Sequence, residues 1–138
     1  MAMTGKCHCG AVAYEAELPD DKKNHVLCHC NTCKVLSTGA FSLNQIIPKS
    51  VFKVTKGDLK TYTYKGDSGK GVDCLFCSAC GTHIYHVQEA LPAELIVLRT
   101  ATLDDSKSFP VAVEVYGKDR YEWQKEVAHT FEVMPPAP

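Results

Sequence analysis

A mostly-β domain is what this sequence predicts, on three observations. Apolar residues recur at every second position in short stretches, turn formers interrupt the chain every few residues, and helical periodicity is almost absent. The 138 residues suit one domain that buries its own core. That domain is expected over residues 1–134, and Pro135-Pro136-Ala137-Pro138 reads as a short frayed tail.

The elements follow in order. From Cys7 to Leu18, Val12, Tyr14, Ala16 and Leu18 share one face and Ala11, Ala13, Glu15 and Glu17 the other. This is a strand pattern, which Pro19-Asp20-Asp21 ends. Val26-Leu27 leads into a cysteine cluster. Ala40–Leu43 and Val51–Val54 are short strands, the second closed by Lys56-Gly57-Asp58. Leu59–Tyr64 is rich in Thr and Tyr and runs into the turn Gly66-Asp67-Ser68-Gly69. Strands at Val72–Phe76, Thr82–Val87, Leu95–Thr100 and Val111–Tyr116 complete the series. Only Tyr121–His129 offers a helix, with Trp123 and Val127 four apart on one face and Trp123 packed into the core.

Charge excludes some functions. Fifteen basic and 16 acidic residues are mixed along the chain for a net −1. Proteins that hold nucleic acid or a membrane surface carry basic patches, which this one lacks. No apolar run approaches the ~20 residues that span a bilayer. The start, Met1-Ala2-Met3-Thr4-Gly5-Lys6, has no apolar signal core, so a cytoplasmic protein is expected.

Eight cysteines are the chemical signal: Cys7, Cys9, Cys28, Cys30, Cys33, Cys74, Cys77 and Cys80. In a reducing compartment such spacing points to metal rather than disulfides. Cys7 and Cys9 form a C-x-C pair at the head of a strand, where alternate side chains share a face. Cys77 and Cys80 form a C-x2-C knuckle, and Gly81 suits the tight turn after it. The two pairs make the four thiolates of a closed tetrahedral zinc site. Cys28, Cys30 and Cys33 supply three ligands from one short loop. Either a fourth position stays open, as in a catalytic zinc, or a distant residue such as Cys74 or a histidine closes it. An iron–sulfur reading fails because the Cys74, Cys77, Cys80 run lacks its C-x3-C-P element.

His29 lies between two proposed ligands and should point away from them; His83 and His86 should face opposite sides of a strand. Each is first a hydrogen-bonded histidine, with His29 a candidate proton donor. Lys and Arg residues read mostly as solvated faces, with Arg99 and Arg120 the candidates to meet an anionic substrate.

Three stretches together resemble the glutathione-dependent formaldehyde-activating enzyme family, which includes centromere protein V. They are Gly5-Lys6-Cys7-His8-Cys9-Gly10-Ala11-Val12-Ala13-Tyr14-Glu15, Cys28-His29-Cys30-Asn31-Thr32-Cys33 and Phe76-Cys77-Ser78-Ala79-Cys80-Gly81-Thr82. Glu114-Val115-Tyr116 and Arg120-Tyr121-Glu122-Trp123 look like the end of the same domain. The resemblance implies a β-tent-like fold with two zinc ions. By position, Cys7, Cys9, Cys77 and Cys80 would hold the structural ion, and Cys28, Cys30 and Cys33 the catalytic one. It implies addition of glutathione to formaldehyde to give S-hydroxymethylglutathione, a carbon–sulfur lyase in reverse. Family arginines are replaced by Cys74 and Lys34, which removes planar recognition of carboxylates there. Two other functions stay open: a zinc-stabilised binding or scaffold module without catalysis, and a redox thiol protein acting through Cys74.

Overall fold

The structure, a computed structural model, describes residues 2–136. In chain order its strands are β1 (Met3–Lys6), β2 (Ala13–Ala16), β3 (His25–Cys28), β4 (Ser42–Pro48), β5 (Phe52–Lys56) and β6 (Leu59–Lys65). Then come β7 (Gly71–Cys77), β8 (His83–Gln88), β9 (Leu95–Arg99) and β10 (Val111–Val115). One short helix, α1 (Asn31–Ser37), follows β3. The mostly-β expectation holds, and every strand pair but one is antiparallel; the exception is β10 beside β3.

The strands form a three-stranded sheet, β1-β2-β5, and a seven-stranded sheet, β10-β3-β4-β9-β8-β7-β6. Register assigns the two faces of the large sheet. Ile47 opposes Ile96, and Leu98 opposes Tyr85, and these side chains pack against Val12, Tyr14, Ala16 and Phe52 of the small sheet. The period-2 pattern from Val12 to Leu18 is thus the inner face of β2, and all four of its residues are buried.

The opposite face carries the side chains that alternate with these. Val26 opposes Asn44, Cys28 opposes Ser42, Asn44 opposes Arg99, and Ile46 opposes Val97. Val97 opposes His86, and His86 opposes Cys74. Polar and thiol groups therefore gather on the face that the small sheet does not cover.

Three local expectations are corrected. Cys7 to Gly10 is a turn between β1 and β2 rather than the head of a strand, with Gly10 N donating to Cys7 O. Strand β4 extends to Pro48, beyond the expected Leu43. The helix expected at 121–129 does not form. Trp123 is 69 % exposed and stacks on Tyr121 at 5.5 Å between ring centroids, so it is not core. The backbone of that segment is used elsewhere: Val127 N and Ala128 N donate to Glu114 Oε2, and Glu114 N donates to His129 O.

Glu114 anchors this arrangement. Fully buried, it accepts on Oε1 from His29 Nε2 at 2.6 Å, and Arg120 Nη2 stands 3.6 Å from the same oxygen. Glu114→Ala is expected to cost about 3–5 kcal/mol, because His29 and two backbone N–H groups lose their partner inside the protein. Urea unfolding would read this loss. Amide exchange should rise first at 127–131, the segment that Glu114 ties down.

Pro135 lines a cavity described below, so the expected tail is engaged at its start, while Ala137 and Pro138 lie outside the described residues. Among the described residues no helix is long and apolar enough to cross a membrane.

Candidate metal centres and the adjoining cavity

The β1–β2 turn and the β7–β8 turn meet, which brings Cys7, Cys9, Cys77 and Cys80 together. Their sulfurs all lie within 4.8 Å of one another. Cys7 Sγ is 3.6 Å from Cys9 Sγ, and Cys9 Sγ is 3.9 Å from Cys77 Sγ. A zinc ion bonded to four sulfurs at ~2.3 Å requires tetrahedron edges of about 3.8 Å. The donor set and its spacing fit zinc. Backbone amides prepare the sulfurs for negative charge: Val12 N donates to Cys7 Sγ, and Ala79 N and Cys80 N donate to Cys77 Sγ. The Thr82 hydroxyl beside Cys80 holds that thiol down to about 5. Gly57 closes against this loop with φ at +86°, and a Cβ there would sit 2.1 Å from Ala11 O.

The second group is set by the end of β3 and the start of α1. Cys28 is the last residue of β3, Cys30 caps α1 by accepting on Sγ from Cys33 N at 3.2 Å, and Cys33 points inward from the first turn. This helix escaped the sequence reading, since its seven residues show no apolar stripe. The three sulfurs lie within 4.8 Å of one another, and among the described residues no fourth His, Cys, Asp or Glu joins them. Three soft donors from one corner fit a three-ligand zinc site.

Neighbouring thiols divide the protons of this trio unequally. Hydrogen bonds from Cys28 and Cys30 hold Cys33 down at about 2, with the Ser42 hydroxyl and the Arg99 charge adding to the effect. Cys30 and Cys33, and then burial, push Cys28 up. Within the trio, negative charge is therefore favoured most at Cys33.

The trio opens on a cavity of about 710 Å³. Asn44, Val97 and His86 form part of its floor, Tyr64 and Gln88 one side, and Tyr116 and Lys118 another. This volume suits a small organic ligand. His86 faces inward while its Nε2 accepts from Gln88 Nε2 at 2.9 Å. Burial, then the Arg99 charge, lowers its pKa to about 3, so the ring is neutral.

The remaining expected residues are distributed as follows. Cys74 is buried on the floor side, outside both sulfur groups, and burial pushes its thiol up, which disfavours it as an exchangeable redox group. His29 points away from the trio into Glu114 and Phe41, at 5.7 Å between ring centroids, so its proton faces no substrate. Arg120 is engaged with Glu114 and Thr130 rather than open to a substrate. Lys34 lies 4.2 Å over the Tyr121 ring and donates to Asp119 O. Arg99 is the cation left beside the trio. Ser42, Asn44 and Tyr64 were missed altogether, because polar residues on a strand read as solvent-facing until register shows which face they join.

A profile of the glutathione-dependent formaldehyde-activating enzyme family matches residues 2–119. A Fusarium vanettenii protein is 29 % identical over 80 residues, covering 58 % of this chain and 42 % of its own length. An Emericella nidulans protein is 28 % identical over 79 residues, covering 57 % of this chain and 39 % of its own. Both bear the family's description in their names. The matches thus span about two-fifths of those relatives. A crystal structure of a Rhodobacter sphaeroides protein aligns over 80 % of this chain and all of that one, with a TM-score of 0.60 and 26 % identity. The chain belongs to the glutathione-dependent formaldehyde-activating enzyme family.

Proposed function

We propose that the protein joins a thiol such as glutathione to formaldehyde or another small aldehyde, as a carbon–sulfur lyase of the S-(hydroxymethyl)glutathione synthase kind. In this reading Cys7, Cys9, Cys77 and Cys80 hold a structural zinc ion. Cys28, Cys30 and Cys33 hold a catalytic one, and residues 1–134 act as one catalytic domain. The observation that carries it is the trio of sulfurs, which no fourth His, Cys, Asp or Glu joins among the described residues, opening on a ligand-sized cavity. The names of the relatives supply the substrate pair.

The overall change is simple. The thiol sulfur forms a bond to the aldehyde carbon, the carbonyl π bond breaks, and the oxygen takes the proton that the thiol gives up. A zinc ion, when bound, supplies an exchangeable position that favours the thiolate form of the substrate. The chain's own residues do the rest. Ser42 and Arg99 favour negative charge on the sulfur of Cys33. The cavity walls hold the thiol's remainder and keep bulk water from the reacting carbon. Cysteines kept reduced, and glutathione as substrate, both suit the cytoplasm.

Metal analysis combined with an adduct assay tests the proposal. Two zinc ions per chain are expected, together with a cobalt-substituted spectrum that glutathione alters and adduct formation faster than in buffer. One zinc ion indifferent to thiols, with no acceleration, would leave a zinc-stabilised binding module instead.

A further inference from the structure

Three buried side chains on the cavity face of the large sheet each keep one polar atom without a partner. They are Asn44 on β4, Arg99 on β9 and His86 on β8, at exposures of 7 %, 7 % and 4 %. The atoms are Asn44 Oδ1, Arg99 Nη1 and His86 Nδ1. Such atoms cost free energy when dry, on the order of 1–3 kcal/mol each. A folded protein keeps them for a reason. Their placement is not scattered: β9 lies between β4 and β8, Asn44 is the register partner of Arg99, and His86 is the partner of Val97, two residues before Arg99 on the same face. Asn44 and His86 line the cavity.

A polar chain connects this floor to the trio. Asn44 Nδ2 donates to Ser42 Oγ at 2.8 Å, and the Ser42 hydroxyl is one of the groups that favour negative charge on Cys33. Among the described residues, no carboxylate pairs with Arg99. Arg99 lies near the Cys33 sulfur, yet its Nη1 has no partner among the described residues, and a developing negative charge on a ligand would supply one.

The donor and acceptor pattern specifies the ligand atom. Because His86 Nε2 accepts from Gln88, the neutral ring carries its proton on Nδ1. This face therefore offers one donor and one acceptor at the cavity lining, His86 Nδ1–H and Asn44 Oδ1, with a second donor, Arg99 Nη1–H, on the strand beside them and outside the lining. A hydroxyl oxygen complements that set, since it accepts two hydrogen bonds and donates one. A carbonyl or alkoxide oxygen uses the two donors alone.

We propose that Asn44, His86 and Arg99 form an oxygen subsite beside the cysteine trio, which takes the oxygen of the aldehyde and then of the hydroxymethyl product. This rests on the addition reaction proposed above. As the carbon–sulfur bond forms, the carbonyl π electrons move to oxygen, facing Arg99 and His86. That oxygen gains the proton lost by the thiol and, as a hydroxyl, donates to Asn44 Oδ1. Donors aimed at the site of developing charge are the usual source of large rate effects.

The test compares two small thiols on the nitrogen-15-labelled protein as purified. 2-Mercaptoethanol carries a hydroxyl near its sulfur, and ethanethiol lacks it. The wild type is expected to bind 2-mercaptoethanol at least about tenfold more tightly, with shifts at His86 and Asn44 side-chain signals that ethanethiol does not produce. Asn44→Leu and Arg99→Lys should each erase that ratio by weakening 2-mercaptoethanol binding more than ethanethiol binding. Equal binding of both thiols by the wild type, or no binding of either, overturns the subsite without needing any variant. A tenfold preference in a protein that does not accelerate adduct formation would keep the subsite and remove the reaction. Acceleration with no preference would do the reverse.

Discussion

Cys77→Ser is expected to leave the protein unfolded at ordinary temperature. Cys77 is buried, its sulfur neighbours that of Cys9 from 68 residues earlier, and two amides converge on it. Structural zinc contributes about 10–16 kcal/mol of apparent binding energy in small zinc-folded peptides. Domains of this size are stable by only about 5–15 kcal/mol. Losing the whole of the metal's contribution therefore removes an amount comparable to the entire stability of such a domain. Far-UV circular dichroism and a thermal melt check this, and a strong chelator added to the wild type should reproduce the effect. A variant that melts like the wild type would mean that this sulfur group holds no fold-stabilising ion.

Cys30→Ser is expected to behave in the opposite way, keeping the fold and losing the chemistry. Cys30 is the N-cap of α1, and serine is among the best N-cap residues, so the helix start survives the exchange. The soft donor does not survive. One of two bound metal ions should be lost or weakened, and adduct formation should fall by at least about 100-fold, more than the loss of a residue that merely orients a ligand. Metal content and the assay are read on the same sample. Turnover close to wild type would remove the trio from the mechanism.

The contrast between these two variants shows how much of the site is legible in sequence. Cysteine spacing alone grouped the sulfurs as four and three, and the structure brings the same four and the same three together. Alternation also located the inner face of β2, and short apolar and Thr- or Tyr-rich runs located strands β6 to β10 along the chain, though not their order in the sheet. The misses share a physical cause. Cys7 and Cys9 converge through a turn, where proximity comes from the β7–β8 knuckle across the molecule. Helix α1 is held by a sulfur cap and an αL residue at Thr38 rather than by an apolar stripe. Trp123 stayed outside because Glu114 claims the amides that a helix would have used. Arg99, Asn44 and His86 converge only through strand register, which no local window contains.

That register has a consequence for how the cavity can diverge among related chains. Along β4, odd-numbered Ile47 belongs to the core and even-numbered Asn44 and Ile46 to the ligand; along β9, the assignment follows the same two-residue beat. Point changes at ligand-side positions retune recognition without touching the core. A single-residue insertion early in either strand would instead exchange the two sets, turning Leu98 or Ile47 toward the ligand and Arg99 or Asn44 into the hydrophobic layer. New specificities on this scaffold should therefore arise by substitution inside the strands, and length changes should be confined to the connections between them.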